Sequence, residues 1–160
     1  MTQNLKELND LFVNIYSMIS KTENLSMQSG PFSDLSLSEV HALERMMRDG
    51  ARAKSMGEVA AELGITVATL SVTVKRLYAK GYVERRSDLA DRRLVLVGLT
   101  EKGRRAARVH QYFHGLMMKR ALGKLDDAQM EVLKTALVEL NQYFEDYLAS
   151  QGVLCKAESK

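Results

Sequence analysis

The chain has 160 residues, of which 46% are hydrophobic, and it carries a formal net charge of +3. This length fits one compact domain with helical appendages, and no apolar run reaches the roughly 20 residues of a membrane span. The single cysteine, Cys155, excludes an intrachain disulfide and a cysteine zinc cluster. The first ten residues lack the basic and apolar segments of a secretory signal, so we expect a cytoplasmic protein without membrane contact.

The N-terminal part of the chain is predicted to form two helices. Apolar residues recur with helical period between residues 2 and 28, and Gly30-Pro31 ends that helix. A second amphipathic helix is predicted after a cap at Ser36 or Ser38, and it ends near Asp49-Gly50.

The next segment has the pattern of a helix-turn-helix. Ser55 and Glu58 form a capping-box pattern at the start of a short helix that ends at Gly64. Thr66 can cap the following helix, whose predicted buried stripe is Val67, Leu70, Val74, Leu77 and Tyr78. In a helix-turn-helix the second helix enters the major groove of DNA.

The opposite face of this second helix is predicted to contact DNA. Projecting residues 67–80 at about 100° per residue places five side chains away from the buried stripe: Ala68, Thr69, Val72, Thr73 and Arg76. They are small or polar, which suits close approach to base edges and thymine methyl groups. The predicted contact set also includes the two capping residues Ser55 and Thr66. An ordinary helical hairpin is the alternative.

The C-terminal half is predicted to contain a β-hairpin and two long helices. Residues 82–86 and 94–99 are rich in β-formers and flank a polar loop. Thr100 is predicted to cap a helix that runs to about Leu122, and Asp126 or Asp127 to open the last one.

Positive charge is concentrated around this hairpin. Residues 75–93 hold seven basic and three acidic residues, so this window has a charge of +4 and the rest of the chain −1. Such a concentration is typical of a polyanion-binding surface, although a solvated charged face is the alternative.

Three motifs resemble the winged helix-turn-helix of the MarR family of bacterial transcription regulators. They are Leu77-x-x-Lys80-Gly81-Tyr82-Val83-Glu84-Arg85, then Asp91-Arg92-Arg93, and then Leu99-Thr100-Glu101-Lys102-Gly103. The resemblance covers roughly residues 5 to 148. It implies a mostly α fold with a small β-hairpin wing, in which residues 36–99 bind DNA, residues 1–35 and 100–150 form a helical dimerisation region, and residues 151–160 are a flexible tail.

The same resemblance implies a role for the hairpin loop. Arg93 would enter the DNA minor groove, where A·T tracts concentrate negative potential. Asp91 would hold its guanidinium in a bidentate pair, and Arg92 would contact phosphate or share the groove. The alternative is that Asp91 and Arg93 only stabilise the hairpin. A two-fold homodimer would read a pseudo-palindromic operator in double-stranded DNA, with half-sites about one helical turn apart.

The chain has only three histidines, His41, His110 and His114. His110 and His114 share one helix face, and a third imidazole from a neighbouring helix would complete a plausible zinc site. The MarR family includes zinc-dependent repressors of the AdcR type, whose ligand histidines fall at these positions. Glu23 and Glu39 are the candidates for a fourth ligand. Hydrogen-bonded structural roles are the interpretation we favour, with metal binding and effector contact as alternatives.

A second set of motifs resembles the FabT branch of the family. These are Phe32-Ser33-Asp34-Leu35-Ser36, Glu39-Val40-His41 and His110-x-x-Phe113-His114. FabT proteins repress fatty-acid synthesis genes, with acyl groups on acyl carrier protein as corepressor. Methionines suit adaptable apolar pockets. The predicted effector pocket is therefore Met18, His41, Met46, His110, His114 and Met117, and core packing is the alternative for the methionines.

No pattern in the sequence indicates an enzyme: there is no nucleophile elbow, no phosphate-binding glycine loop and no HExxH. We therefore expect a DNA-binding transcriptional repressor that lacks a resident cofactor and responds to an acyl-carrier-protein-linked or small apolar effector. A zinc-responsive repressor is one alternative. An architectural DNA-binding protein or a protein-interaction module is the alternative from another class.

Overall fold

The computed structural model of the protein describes residues 2–48, 53–87 and 95–151. These residues form six helices and one small sheet. In chain order the elements are α1 (Gln3–Ser29), α2 (Leu37–Met47), β1 (Lys54–Ser55), α3 (Met56–Leu63), α4 (Val67–Ala79), β2 (Val83–Ser87), β3 (Val95–Leu99), α5 (Glu101–Leu122) and α6 (Asp127–Ser150). The mostly α fold with a β-hairpin is confirmed. The predicted helix end at Asp49-Gly50 and the tail beyond residue 151 lie outside the described residues.

Polar caps fix where five of the six helices begin. In each case the side chain before the first helical residue accepts a hydrogen bond from the backbone N–H three residues later, which satisfies one of the unpaired donors of the first turn. The caps are Ser36, Ser55, Thr66, Thr100 and Asp126. Where the sequence left two candidates, the structure selects Ser36 and Asp126.

The sheet has three antiparallel strands in the order β1-β3-β2. The β2–β3 hairpin pairs Val83 with Leu99 and Ser87 with Val95. β1 was not predicted, and it places Lys54 opposite Val97 on the other edge of β3. A strand of two residues is too short to show an alternating pattern in the sequence.

The buried core lies between α2, α3, α4, the sheet and the first turns of α5. Its largest apolar side chains are Tyr82, Leu43, Met46, Leu70, Leu77, Val40, Val59, Val74 and Val97. In the predicted stripe of α4 the three central positions are buried, but the predictions for Val67 and Tyr78 were wrong, since these side chains are 48% and 55% exposed. Val67 begins the helix, and Tyr78 instead packs its ring against the Arg85 guanidinium, 5.5 Å away.

A polar junction ties the end of α4 to the start of α2. Lys80 Nζ lies 2.7 Å from a carboxylate oxygen of buried Glu39 and also donates to the Asp34 carbonyl oxygen. Burial disfavours the ionised form of Glu39, but hydrogen bonds from Lys80 and Ser36 outweigh this effect and hold its pKa below the usual value. The Tyr82 hydroxyl donates to Asp34 at 2.6 Å, and burial together with this bond raises the pKa of Tyr82. This junction holds one end of α4 in place.

The two terminal helices leave most of their apolar side chains uncovered. Glu23 is the only buried residue of α1, and α6 has none.

No single described helix is long and apolar enough to cross a membrane. Helices α3 and α4 reach the length and apolar content of a membrane span only when they are taken together, and the chain bends by 107° between them.

Candidate DNA-binding surface and histidine cluster

Helices α3 and α4 form a helix-turn-helix. The chain bends by 107° between them, within the range of this motif. Gly64 makes the turn with a φ of 64°, a left-handed conformation that glycine adopts without the steric cost of a Cβ. Leu70, Val74 and Leu77 are fully buried, so the opposite face of α4 is directed away from the core.

The outer face of α4 carries the predicted DNA-contacting residues. Ala68, Thr69, Val72 and Arg76 are exposed, Val72 to 53%, and Thr73 is partly buried. The hydroxyl of Thr66 accepts from Thr69 N–H, and that of Ser55 accepts from Glu58 N–H. Their capping roles are confirmed, while their contacts with DNA stay a prediction. The exposed small side chains leave room for close approach to a nucleic-acid groove.

The outer part of β2 in the wing is basic and exposed. Arg85 and Arg86 project from β2, and Arg86 forms an ion pair with Glu84 at 2.5 Å. Both arginines lie at the surface, where such pairs stabilise little and the charge stays accessible to phosphates. The predicted groove-contacting residues Asp91, Arg92 and Arg93 lie outside the described residues.

The three histidines meet in one cluster built from α1, α2 and α5. The His110 ring centroid lies 5.3 Å from that of His41 and 4.6 Å from that of His114. Glu23 joins them from α1, with an oxygen 3.0 Å from His114 Nε2. One candidate ligand atom from each of the four residues lies within 4.8 Å of the others. The alternative carboxylate, Glu39, is instead held by Lys80.

His110 is the most buried of the three imidazoles, with 4% of its surface exposed. Its Nδ1 lies 3.0 Å from a Glu44 oxygen but without hydrogen-bond geometry, and neither ring nitrogen has a hydrogen-bond partner among the described residues. Burial lowers the pKa of His41, and the neighbouring His110 lowers it further. Neutral imidazole, the form that binds metals, is therefore favoured at His41.

Known protein structures share this architecture. FabT of Streptococcus pneumoniae, crystallised in complex with DNA, is 28% identical; the match covers 89% of this chain and 99% of FabT, with a TM-score of 0.82. Residues 33–94 match the model of the MarR family. The chain therefore has the winged-helix fold of a DNA-binding transcriptional regulator of the MarR type.

Structures with lower sequence identity share the fold. AbsC of Streptomyces coelicolor, a MarR family transcriptional regulator, is 19% identical over 90% of this chain and 96% of its own, with a TM-score of 0.74. MepR of S. aureus, solved with DNA, is 19% identical over 84% of this chain and 94% of its own, with a TM-score of 0.71. No protein with a curated description matches the chain significantly.

Within this MarR fold the predicted effector-pocket residues do not all lie together. The three histidines are adjacent, but Met46 is buried in the core, Met18 is 54% exposed on α1, and Met117 is partly buried on α5. A cleft of about 560 Å³ next to the cluster has different walls: His41, Glu44, Arg45, Arg48, Leu63, Gln111 and His114. Sequence reasoning missed Arg45 and Arg48, although Arg45 follows His41 by one helical turn.

Proposed function

We propose that this MarR-family protein is a homodimeric repressor of fatty-acid synthesis genes. Its α4 helices and wings bind a pseudo-palindromic operator, and an acyl group on acyl carrier protein or a small apolar ligand controls that binding. The observation that carries the proposal is the exposed, small-residue face of α4 beside a basic hairpin. The 28% identity with FabT over 89% of the chain supports the regulated pathway.

The uncovered apolar faces of α1 and α6 support a homodimer. Nine apolar side chains of α1 are at least 48% exposed: Leu5, Leu8, Leu11, Phe12, Val13, Ile15, Tyr16, Met18 and Leu25. On α6, Val132, Val138, Tyr143 and Tyr147 are more than half exposed. Patches of this kind mark interaction surfaces, and a two-fold axis would bury the same patch on both copies.

The Arg93→Ala variant tests the operator-binding part of the proposal. We expect it to weaken binding to a selected operator by roughly 10- to 100-fold, because a groove-inserted guanidinium contributes about 1–3 kcal/mol. Fluorescence anisotropy with the labelled operator measures the change, and sedimentation is expected to show an intact dimer. Arg105→Ala, a change at an exposed position on α5, is the matched control.

Unchanged affinity in Arg93→Ala would contradict the wing contact. A scrambled fragment of the same length separates a regulator from an architectural protein, because a regulator prefers its operator by at least about 10³-fold. Acyl carrier protein that carries a saturated or an unsaturated acyl chain, added to the same titration, tests the effector. If neither form changes the affinity for the operator, the result argues against the acyl-carrier mechanism.

A zinc-responsive repressor is the second candidate, and the histidine cluster favours it. Three imidazoles and one carboxylate suit tetrahedral Zn²⁺, whose ligands lie about 2.0 Å from the metal and hence roughly 3.3 Å apart. The four candidate atoms lie within 4.8 Å of one another, so small rotamer changes would bring them to the metal. A metal would also provide a partner for one of the two buried ring nitrogens of His110. Glu23, His41, His110 and His114 would hold it, and the bound metal would join α1 to α2 and α5.

Zinc binding can be measured directly by competition with a chromophoric chelator. One zinc ion per protomer is expected, and Glu23→Gln and His114→Gln are each expected to lower the affinity at least about tenfold. Glu7→Gln, which changes an exposed acid on the same helix as Glu23 but away from the cluster, is the control. If micromolar zinc gives no saturable binding, or if operator affinity is the same with zinc and with chelator, this candidate fails.

A further inference from the structure

Lys54 is the one lysine or arginine that is buried in residues 2–48, 53–87 and 95–151, with 1% of its surface exposed. It lies in β1, where it pairs with Val97 of the wing strand β3. Its Nζ donates to both carboxylate oxygens of Glu62 on α3, at 2.8 and 3.0 Å, and to the Arg45 carbonyl oxygen on α2, at 3.2 Å. One residue thus connects the wing, α2 and α3.

The contact with Glu62 holds the far end of α3. The near end is held by the capping box, in which Ser55 and Glu58 exchange hydrogen bonds of 2.6 and 3.2 Å. Glu62 lies seven residues after Ser55, about 10 Å further along the helix, and directly before the turn at Gly64 that leads into α4. Because both ends of α3 are tied to β1, two adjacent residues of one strand orient the helix-turn-helix relative to the sheet.

This ion pair is expected to contribute little to the stability of the fold. Taking an ammonium group out of water costs free energy that the pair only offsets, so apolar side chains of similar size often replace such pairs without loss. The Arg45 carbonyl oxygen also accepts from the Arg48 N–H at 3.4 Å, so it keeps a donor without the lysine. Val59 and Ala60 bury α3 against the core, but apolar contacts are not directional. Charge-assisted hydrogen bonds are directional, so the pair adds defined geometry.

We propose that Lys54 and Glu62 are positioning residues for operator binding, which set α4 and the wing in the arrangement that lets both contact one half-site. The inference rests on the proposed function, in which α4 enters the major groove and the wing the minor groove. The two grooves have a fixed separation on duplex DNA, so a loosened α3 would satisfy one contact at the expense of the other. Sequence-independent attraction to phosphates does not need this arrangement.

The double variant Lys54→Met/Glu62→Met tests the proposal, because it removes both charges and keeps side chains of similar length. Its thermal midpoint is expected to shift by less than about 5 °C, and its affinity for a scrambled fragment by less than about twofold. Its affinity for the operator, measured by anisotropy at the same salt concentration, is expected to fall at least about tenfold. Glu131→Gln/Lys134→Gln, which removes an exposed ion pair of the same composition on α6, is the matched control.

A double-mutant cycle with Arg93→Ala gives a readout that a merely structural role would not change. In the wild-type background this substitution is expected to weaken operator binding by roughly 10- to 100-fold. In the Lys54→Met/Glu62→Met background we expect a loss of less than about threefold, because the wing is already displaced there. Glu62→Gln is a milder second variant at a side chain that is 33% exposed. It is expected to lower the ratio of operator affinity to scrambled-fragment affinity at least about threefold.

The outcomes separate this inference from the proposed function. An unchanged affinity ratio in both the double variant and Glu62→Gln overturns the inference, and so does an Arg93→Ala effect of the same size in both backgrounds. If the double variant does not fold, the affinity ratio of Glu62→Gln decides alone. Each of these failures with selective operator binding by the wild-type protein leaves the DNA-binding proposal standing. Absence of that selectivity in the wild-type protein overturns the proposed function and the inference together.

Discussion

Replacing Gly103 by alanine is expected to destabilise the protein by about 3 kcal/mol, because the new methyl group has no room. A Cβ at this position would lie 2.1 Å from the carbonyl oxygen of Tyr82 and 3.1 Å from its carbonyl carbon. The same oxygen accepts hydrogen bonds from both the N–H and the hydroxyl of Thr100, the cap of α5. The clash is with backbone, so it can be relieved only by moving α5 away from the sheet.

Thermal or urea unfolding of the variant measures this cost. Gly115→Ala is the matched control on the same helix: nothing lies within 4 Å of its added Cβ, and alanine is the better helix former by about 1 kcal/mol. We therefore expect unchanged or higher stability for Gly115→Ala. Equal stability of the two variants would show that α5 can move away from Tyr82 at little cost.

Local signals in the sequence predicted most of the fold. Ser55, Thr66 and Thr100 are found as caps because a capping side chain acts on a backbone group only three residues away. Gly64 makes the predicted turn for an equally local reason, the left-handed conformation. The helical period also identified the centre of the α4 stripe, because Leu70, Val74 and Leu77 repeat on one face.

Features that depend on contacts between distant residues could not be predicted in the same way. β1 exists because Lys54 pairs with Val97, and no pattern within two residues reveals such a partner. The sequence left Glu23 and Glu39 open as partners of the histidines, and only packing places Glu23 beside His114. The cleft lined by Arg45 and Gln111 is likewise formed by helices far apart in the chain.

The second large effect is expected from Val72→Glu, which places a negative charge in the middle of the exposed face of α4. Val72 is 53% exposed at the centre of the face of α4 that we propose contacts DNA, so bound DNA would cover this side chain. The substitution buries a carboxylate against phosphates and removes an apolar contact. We therefore expect operator binding to weaken by roughly 100-fold. The folded chain is expected to lose no more than about 0.5 kcal/mol, because the side chain is at the surface.

Two controls separate a lost DNA contact from a general charge effect. Val72→Thr keeps the shape of the side chain and one methyl group, so it is expected to retain most of the affinity. Ala121→Glu adds the same charge at an exposed position near the C-terminal end of α5. This position is 21 residues from the cap Thr100, which is about 30 Å along the helix. Anisotropy titrations at fixed salt compare all three variants. If Val72→Glu and Ala121→Glu weaken binding equally, net charge explains the loss and α4 is not the helix that reads the operator.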